Sequence, residues 1–326
     1  MRAATFTHTG PAADVLTIRD VPTPDPGPGE VRVKLATSGV NPSDVKRRGA
    51  APVGKPAEFP LVIPHSDGAG TIDAVGAGVP QARIGERVWT FNAQYRRPFG
   101  TAAEYCVLPS AFAVQLPDNV DFAVGACLGI PALTAYHAIM LDGGVRGQTL
   151  LVQGGAGAVG FYAIQFAKLD GATVIATVSS DEKSERARSA GSDHVVNYRT
   201  EDRKTRIAEI TAGRGVDRII EVDLKANVTT YQDVLVDHGK AVVYGSGSGP
   251  IPIPSFIPTS TTLQFILVYT LTDAQRATYT TALNGLLAAG KLQHALGDRF
   301  SLERIVDAHE RVEAGSFGNV VVDVRG

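Results

Sequence analysis

Thr149-Leu150-Leu151-Val152-Gln153 runs directly into Gly154-Gly155-Ala156-Gly157-Ala158-Val159-Gly160. A short apolar run bounded by glycine reads as a buried strand. Beyond the glycines, Val159, Ala163, Phe166 and Ala167 recur on one helical face. Gly155-x-Gly157-x-x-Gly160, placed between a strand and a helix, has the form of a dinucleotide pyrophosphate loop. One glycine makes the tight turn, one lets the backbone approach the pyrophosphate, and one lets helix pack on strand. The helix start then offers unpaired N–H groups and a positive dipole to the anion.

The second informative stretch is Ser179-Ser180-Asp181-Glu182-Lys183. NAD-binding folds place a carboxylate at the end of the second strand, where it takes the ribose 2′-OH. Here that strand, residues 173–178, ends in Ser179 and Ser180. A serine hydroxyl can donate to a 2′-phosphate that a carboxylate would repel. Lys183, one helical turn on, supplies positive charge. Asp181 and Glu182 are expected to point outward. The expected cofactor is NADPH.

Working outward, residues 193–197, 218–222 and 240–244 read as further strands, and 183–190 as a helix. Alternating strand and helix means a doubly wound parallel sheet. The first third differs. Val31, Val33 and Leu35 alternate with Arg32, Lys34 and Ala36, the period of a half-buried strand. Short strands are expected near 68–75, 86–90 and 102–108, which describes a small β-rich unit. At the end, Ser301 is expected to cap a helix over 302–313, followed by a strand over 320–324. Residues 250–258 are punctuated by proline and read as an extended loop. The fold class is therefore α/β, a β-rich domain joined to a Rossmann domain. The expected boundaries are 1–122, 123–292 and a return segment, 293–326.

The chain has 326 residues, 44% hydrophobic and 20% charged, with formal net charge −2. This suits a soluble two-domain protein and gives no basic surface for nucleic acid. Only Cys106 and Cys127 are present, so no disulfide framework is expected. No signal-like start or membrane span is read, and the expected location is cytoplasmic.

Several blocks stand in order along the chain: Ser38-Gly39-Val40-Asn41-Pro42-Ser43-Asp44, Asp67-Gly68-Ala69-Gly70, Gly85-Glu86-Arg87-Val88, Leu133-Thr134-Ala135-Tyr136, the glycine loop, and Val196-Asn197-Tyr198-Arg199. In these the chain resembles the zinc-independent quinone oxidoreductase (zeta-crystallin-like) branch of the medium-chain dehydrogenases/reductases. The resemblance spans essentially the whole chain. It implies a GroES-like catalytic domain, a Rossmann domain, and nicotinamide and substrate in the cleft between them. It also implies cofactor contacts. Asn41 and Thr134 approach the nicotinamide end, and Ala156, Gly157, Ala158 and Val159 cover the pyrophosphate. Ser179, Ser180, Lys183 and Tyr198 surround the 2′-phosphate. Asn227 and Val243-Tyr244-Gly245-Ser246 line the ribose side, Val268-Tyr269-Thr270 lies near the carboxamide, and Asn319 joins from the tail. Zinc-dependent relatives carry ligands where this chain has Asn41, Ser66 and Ile130, so no metal is expected. His65, one residue off that register, reads as a hydrogen-bonded partner of Asp67.

One departure is Lys46, in Lys46-Arg47-Arg48, where relatives often carry a tyrosine near the substrate. The triplet reads as a solvated face. Candidate catalytic residues are Asn41 as an orienting donor, with Lys46 and Asp44 behind it. The expected activity is hydride transfer from NADPH to a quinone or α,β-unsaturated carbonyl. The alternatives are a non-catalytic NADPH-binding protein, structural or RNA-binding, and a free-standing enoyl-thioester reductase. The apolar, β-prone segment 251–270 suggests an edge that pairs two subunits into a homodimer.

Overall fold

A computed structural model describes residues 1–50 and 52–324. They form two compact units, Met1–Ile130 with Thr272–Gly326, and Pro131–Leu271. The first unit opens with an antiparallel pair, β1 (Arg2–Thr5) and β2 (Thr17–Asp20). Then come β3 (Glu30–Val40), β4 (Asp67–Val75), β5 (Arg87–Thr90), β6 (Tyr105–Pro109) and β7 (Ala113–Gln115). Strand β3 shows the expected alternation, with Val31, Val33 and Leu35 fully buried. Each such side chain contributes roughly 1.5–3 kcal/mol by leaving water.

The second unit holds β8 (Thr149–Val152), β9 (Thr173–Val178), β10 (His194–Asn197), β11 (Val216–Glu221), β12 (Leu235–Val243) and β13 (Thr262–Phe265). They pair in the order β10-β9-β8-β11-β12-β13, and every pairing is parallel. Leu150, Leu151 and Val152 are all buried, as are Val174, Ile175 and Ala176. Strands covered on both faces carry such continuous apolar runs. The order reverses between β8 and β11. Ligands of doubly wound sheets sit beyond the carboxyl ends of the strands at such a reversal. The glycine loop leaves β8 there. Residues 250–258 have no regular element, as their prolines imply.

The tail returns as β14 (Leu296–Ser301), helix Ile305–Glu313 and β15 (Asn319–Asp323). Strand β15 pairs antiparallel with β3 and completes a sheet ordered β14-β15-β3-β4-β5-β7, with β6 also on β3. The same unit includes helix Asp273–Ala288, whose Asn284 accepts from Trp89 Nε1 at 3.1 Å. Among the described residues no helix is long and apolar enough to cross a membrane.

Candidate active site

In the second unit, Thr177 of β9 holds the glycine loop from behind. Its hydroxyl accepts from Gly154 N–H at 3.2 Å and donates to Gln153 Oε1 at 2.7 Å. Its carbonyl accepts from Gly155 N–H at 3.0 Å. Gly154 has φ +67°, a conformation that favours glycine. A Cβ on Gly160 would stand 2.3 Å from Gly154 O, and one on Gly155 would stand 2.7 Å from Ala176 Cβ. Only glycines permit this approach of loop, helix and strand. Gly157 caps helix Ala158–Asp170, so the N–H groups of Ala158, Val159 and Gly160 have no partner within the helix. The loop thus fits a pyrophosphate.

At the end of β9, Lys183 Nζ donates to Ser179 Oγ at 3.0 Å. The hydroxyl and the ammonium that the sequence suggested as a pair therefore stand together. Ser180 is the N-cap of helix Asp181–Ser189, and its Oγ accepts from Lys183 N–H at 3.3 Å. Asp181 and Glu182 are exposed, and Tyr198 is 47% exposed on the following strand end. These groups can hold a phosphate ester at the adenosine end.

The remaining predicted cofactor residues are more scattered. Thr134 is buried in helix Leu133–Met140. Asn227 bridges Glu221 Oε1 at 2.9 Å and Arg203 Nη1 at 2.5 Å. Val243 ends β12, with Tyr244, Gly245 and Ser246 following it. Val268, Tyr269 and Thr270 form a single tight helical turn. Asn319 is buried in β15 and donates its amide to Ala295 O at 3.1 Å. The sequence did not single out Glu221. It sits at the end of β11, accepting from Asp223 N–H, Asn227 Nδ2 and Tyr231 Oη. Burial raises its carboxyl above the ordinary range.

In the first unit, Asn41 directly follows β3 and is the N-cap of helix Pro42–Arg48. Proline at the first helical position and Asp44 three residues after the cap specify that start. Asn41 N–H donates to Asp44 Oδ2 at 2.8 Å, and Asn41 Nδ2 donates to Asp67 Oδ2 at 3.0 Å. Asp67 Oδ2 also accepts from Ile130 N–H at 2.8 Å. Asn41 is thus clamped between two buried carboxyls. Burial pushes Asp44 up to about 7, although N–H groups of Asn41 and Ser66 and the Arg47 charge pull it down. Burial, with Asp44 nearby, holds Asp67 well above the usual carboxylate range. Two carboxyls this close cannot both ionise cheaply.

The basic triplet is not one solvated face, contrary to the sequence reading. Lys46 is exposed. Arg47 Nη1 donates to Gln94 O and Gln94 Oε1, at 2.9 and 2.7 Å. Arg48 is fully buried, donating to Gly10 O and pairing with Glu313. A buried guanidinium needs such partners, and sequence spacing cannot reveal them. His65 also departs from its reading. It is hydrogen-bonded, but to Ser38 and His309 rather than to Asp67.

Cys106 and Cys127 are free and buried. Burial pushes both thiols up, Cys106 to about 12, so neither is a ready thiolate. Among the described residues no group of three or more His, Cys, Asp or Glu is placed to hold a metal ion.

A GroES-like β unit and a Rossmann unit with a dinucleotide loop define a nucleotide-dependent dehydrogenase or reductase. Residues 27–118 match the alcohol dehydrogenase GroES-like domain, and 158–287 match the zinc-binding dehydrogenase domain. The human quinone oxidoreductase is 31% identical over 322 residues, covering 97% of this chain and 95% of that protein. The quinone oxidoreductase of Pseudomonas aeruginosa is 32% identical over 313 residues, covering 92% and 93%. A mycobacterial protein solved in complex with NADPH superposes with TM-score 0.86 at 30% identity, covering 99% of this chain and 100% of that one. The chain belongs to the quinone oxidoreductase family of medium-chain dehydrogenases/reductases, and it is an oxidoreductase.

Proposed function

We propose that this protein is an NADPH-dependent reductase that transfers hydride to a quinone or an α,β-unsaturated carbonyl, without zinc. When bound, NADPH supplies the hydride. The glycine loop and the start of helix Ala158–Asp170 take the pyrophosphate, and Ser179 with Lys183 takes the 2′-phosphate. The NADPH complex of the mycobacterial relative supports this choice of cofactor.

The observation that carries the acceptor side is the clamp on Asn41. A carboxamide has two N–H bonds, and Asp67 takes one. The second, which the Asn41 side chain shares with the neighbouring Asp44 carboxyl, is the one that would polarise a carbonyl oxygen as negative charge develops on it. Asp44 holds the backbone of the same residue, so the donor is fixed before the acceptor arrives. Asn41 is 4% exposed, and in such a low-dielectric setting one aimed donor is worth more than in water. A quinone or enone needs orientation, such a donor and a proton, which water can supply.

The residues at the expected ligand positions do not suit zinc. Ile130 has no donor atom on its side chain, and the Asn41 carboxamide and the Ser66 hydroxyl are poor zinc ligands beside Cys, His or carboxylate. No step here passes through a metal. The exposed edge of β13, with Phe265 55% and Leu267 50% exposed, supports pairing into a homodimer.

The test is NADPH oxidation, followed at the nicotinamide absorbance, against quinones, enones and enoyl thioesters. Quinone or enone reduction that falls at least tenfold in Asn41→Ala is expected. Activity on thioesters alone would move the reading to an enoyl-thioester reductase. NADPH binding with no turnover of any of these acceptors would overturn the proposed acceptor class.

A further inference from the structure

We propose that His65 and His309 are positioning residues, the far end of a directed hydrogen-bond chain that sets the aim of Asn41. The proposal rests on the reading of Asn41 as the acceptor-side donor. The chain runs inside the first unit through buried side chains. His309 Nε2 and His65 Nε2 are 2.9 Å apart, and His65 Nδ1 lies 2.8 Å from Ser38 Oγ. Ser38 Oγ lies 2.7 Å from Thr101 Oγ1, which donates to the Asp67 carbonyl at 2.5 Å. Asp67 is the residue whose carboxyl holds the Asn41 amide.

Proton counting gives the chain one direction. The Thr101 hydroxyl has a single proton, and the Asp67 carbonyl takes it, because a carbonyl oxygen can only accept. Ser38 must therefore donate to Thr101 and accept from His65 Nδ1–H. His65 is then the Nδ1–H tautomer, and its bare Nε2 accepts from His309 Nε2–H. That leaves His309 Nδ1 as an acceptor, and this atom is buried without a partner. Both rings stay neutral: burial and His309 hold His65 low, while burial and the Arg48 charge push His309 down to about 3.

Two further observations show that the chain is built rather than incidental. His65 has φ +77°, a backbone conformation that favours glycine, yet carries a fully buried imidazole there. His309 and Glu313 lie one turn apart on helix Ile305–Glu313, so they share a face. Glu313 pairs with Arg48, the last residue of the helix that Asn41 caps. The tail helix thus grips the Asn41 helix at its far end and steers its capping residue through the chain.

The experiment compares His309→Leu, His309→Gln and Asn41→Ala, measuring acceptor kcat and KM, NADPH Kd and Tm. His309→Leu cuts the chain. It should lower kcat about tenfold, as misplacing a catalytic donor does, with NADPH Kd within twofold of wild type. His309→Gln can still donate to His65 Nε2 and should recover most of kcat. A purely structural role would lower Tm in both variants and leave kcat per folded molecule unchanged, which overturns the proposal. If His309→Leu does not fold, His65→Gly breaks the next link at a position whose backbone suits glycine, and it is judged by the same numbers. An Asn41→Ala variant that turns over normally would remove the reading of Asn41 and this inference with it. An impaired Asn41→Ala beside a fully active His309→Leu would remove the inference alone.

Discussion

Replacing Gly160 with alanine adds one methyl group where the loop, the helix start and the cofactor must come close. The new Cβ would lie 2.3 Å from Gly154 O and 3.0 Å from Gly155 Cα. Both neighbours are backbone, so no side chain can swing away. Relieving the contact takes a shift of roughly 1 Å between loop and helix. That shift misaligns the N–H groups of Ala158 and Val159 with the pyrophosphate. A charge-assisted hydrogen bond is worth about 1.5–3 kcal/mol, so weakening one raises the NADPH Kd roughly 10- to 100-fold. The control is Gly285→Ala. Gly285 lies in helix Asp273–Ala288 with nothing within 4 Å of its would-be Cβ. There alanine should stabilise the fold by about 0.5–1 kcal/mol and leave binding unchanged. Calorimetric titration with NADPH and thermal unfolding of both variants read out the two effects. NADPH binding by Gly160→Ala within twofold of wild type would refute the cradle.

Other outcomes follow from the same geometry. Ser179→Asp puts a carboxylate beside the proposed 2′-phosphate and Lys183. NADPH Kd should rise at least about tenfold while NADH Kd holds or falls, checked by titrating both cofactors. Asp44, raised to about 7 in the fold from an ordinary value of 3.8, binds its proton more tightly when folded, so its contribution to stability falls as pH rises from about 4 through 7. Asp44→Asn should flatten that slope in denaturant titrations at several pH values. His309 has the opposite sign: its folded pKa of about 3 lies below the ordinary 6.5, so stability is lost as pH falls through that window. His309→Gln should therefore lose less stability than wild type between pH 6.5 and 4, measured by the same titrations.

The parts of the fold that were legible are those encoded by local period. The alternation in β3, the apolar runs of β8 and β9 and the glycine loop all show in short windows of sequence. Helix Asp273–Ala288 does not, because its buried face is only Tyr279, Leu283 and Leu287, set among alanine, threonine and polar residues. The site divides in the same way. Ser179 and Lys183 lie one turn apart, so their pairing could be read directly. His65 meets residues 27 and 244 positions away, and its neighbour Asp67 was the more obvious partner. Arg48 meets Glu313 across 265 positions. Successive helical residues point about 100° apart, so Lys46, Arg47 and Arg48 face three surroundings. Only tertiary partners decide which of the three is buried.

The proposed role of Asn41 gives one reason for two carboxyls and two imidazoles in one core. An amide is nearly symmetric in shape, and packing alone cannot tell its oxygen from its nitrogen. Presented the wrong way round, it would offer a lone pair to a carbonyl and repel it. Asp67 Oδ2 already accepts from Ile130 N–H, so it serves as an acceptor, and the nitrogen of Asn41 must turn toward it. An apolar residue at 67 would pack at lower desolvation cost, since buried polar groups are stability liabilities. It would leave the amide held only from the Asp44 side. On the proposed reading the buried acid is a device for orientation, and it works only while its own backbone is held, which is the part assigned to Thr101, Ser38 and the two histidines behind them.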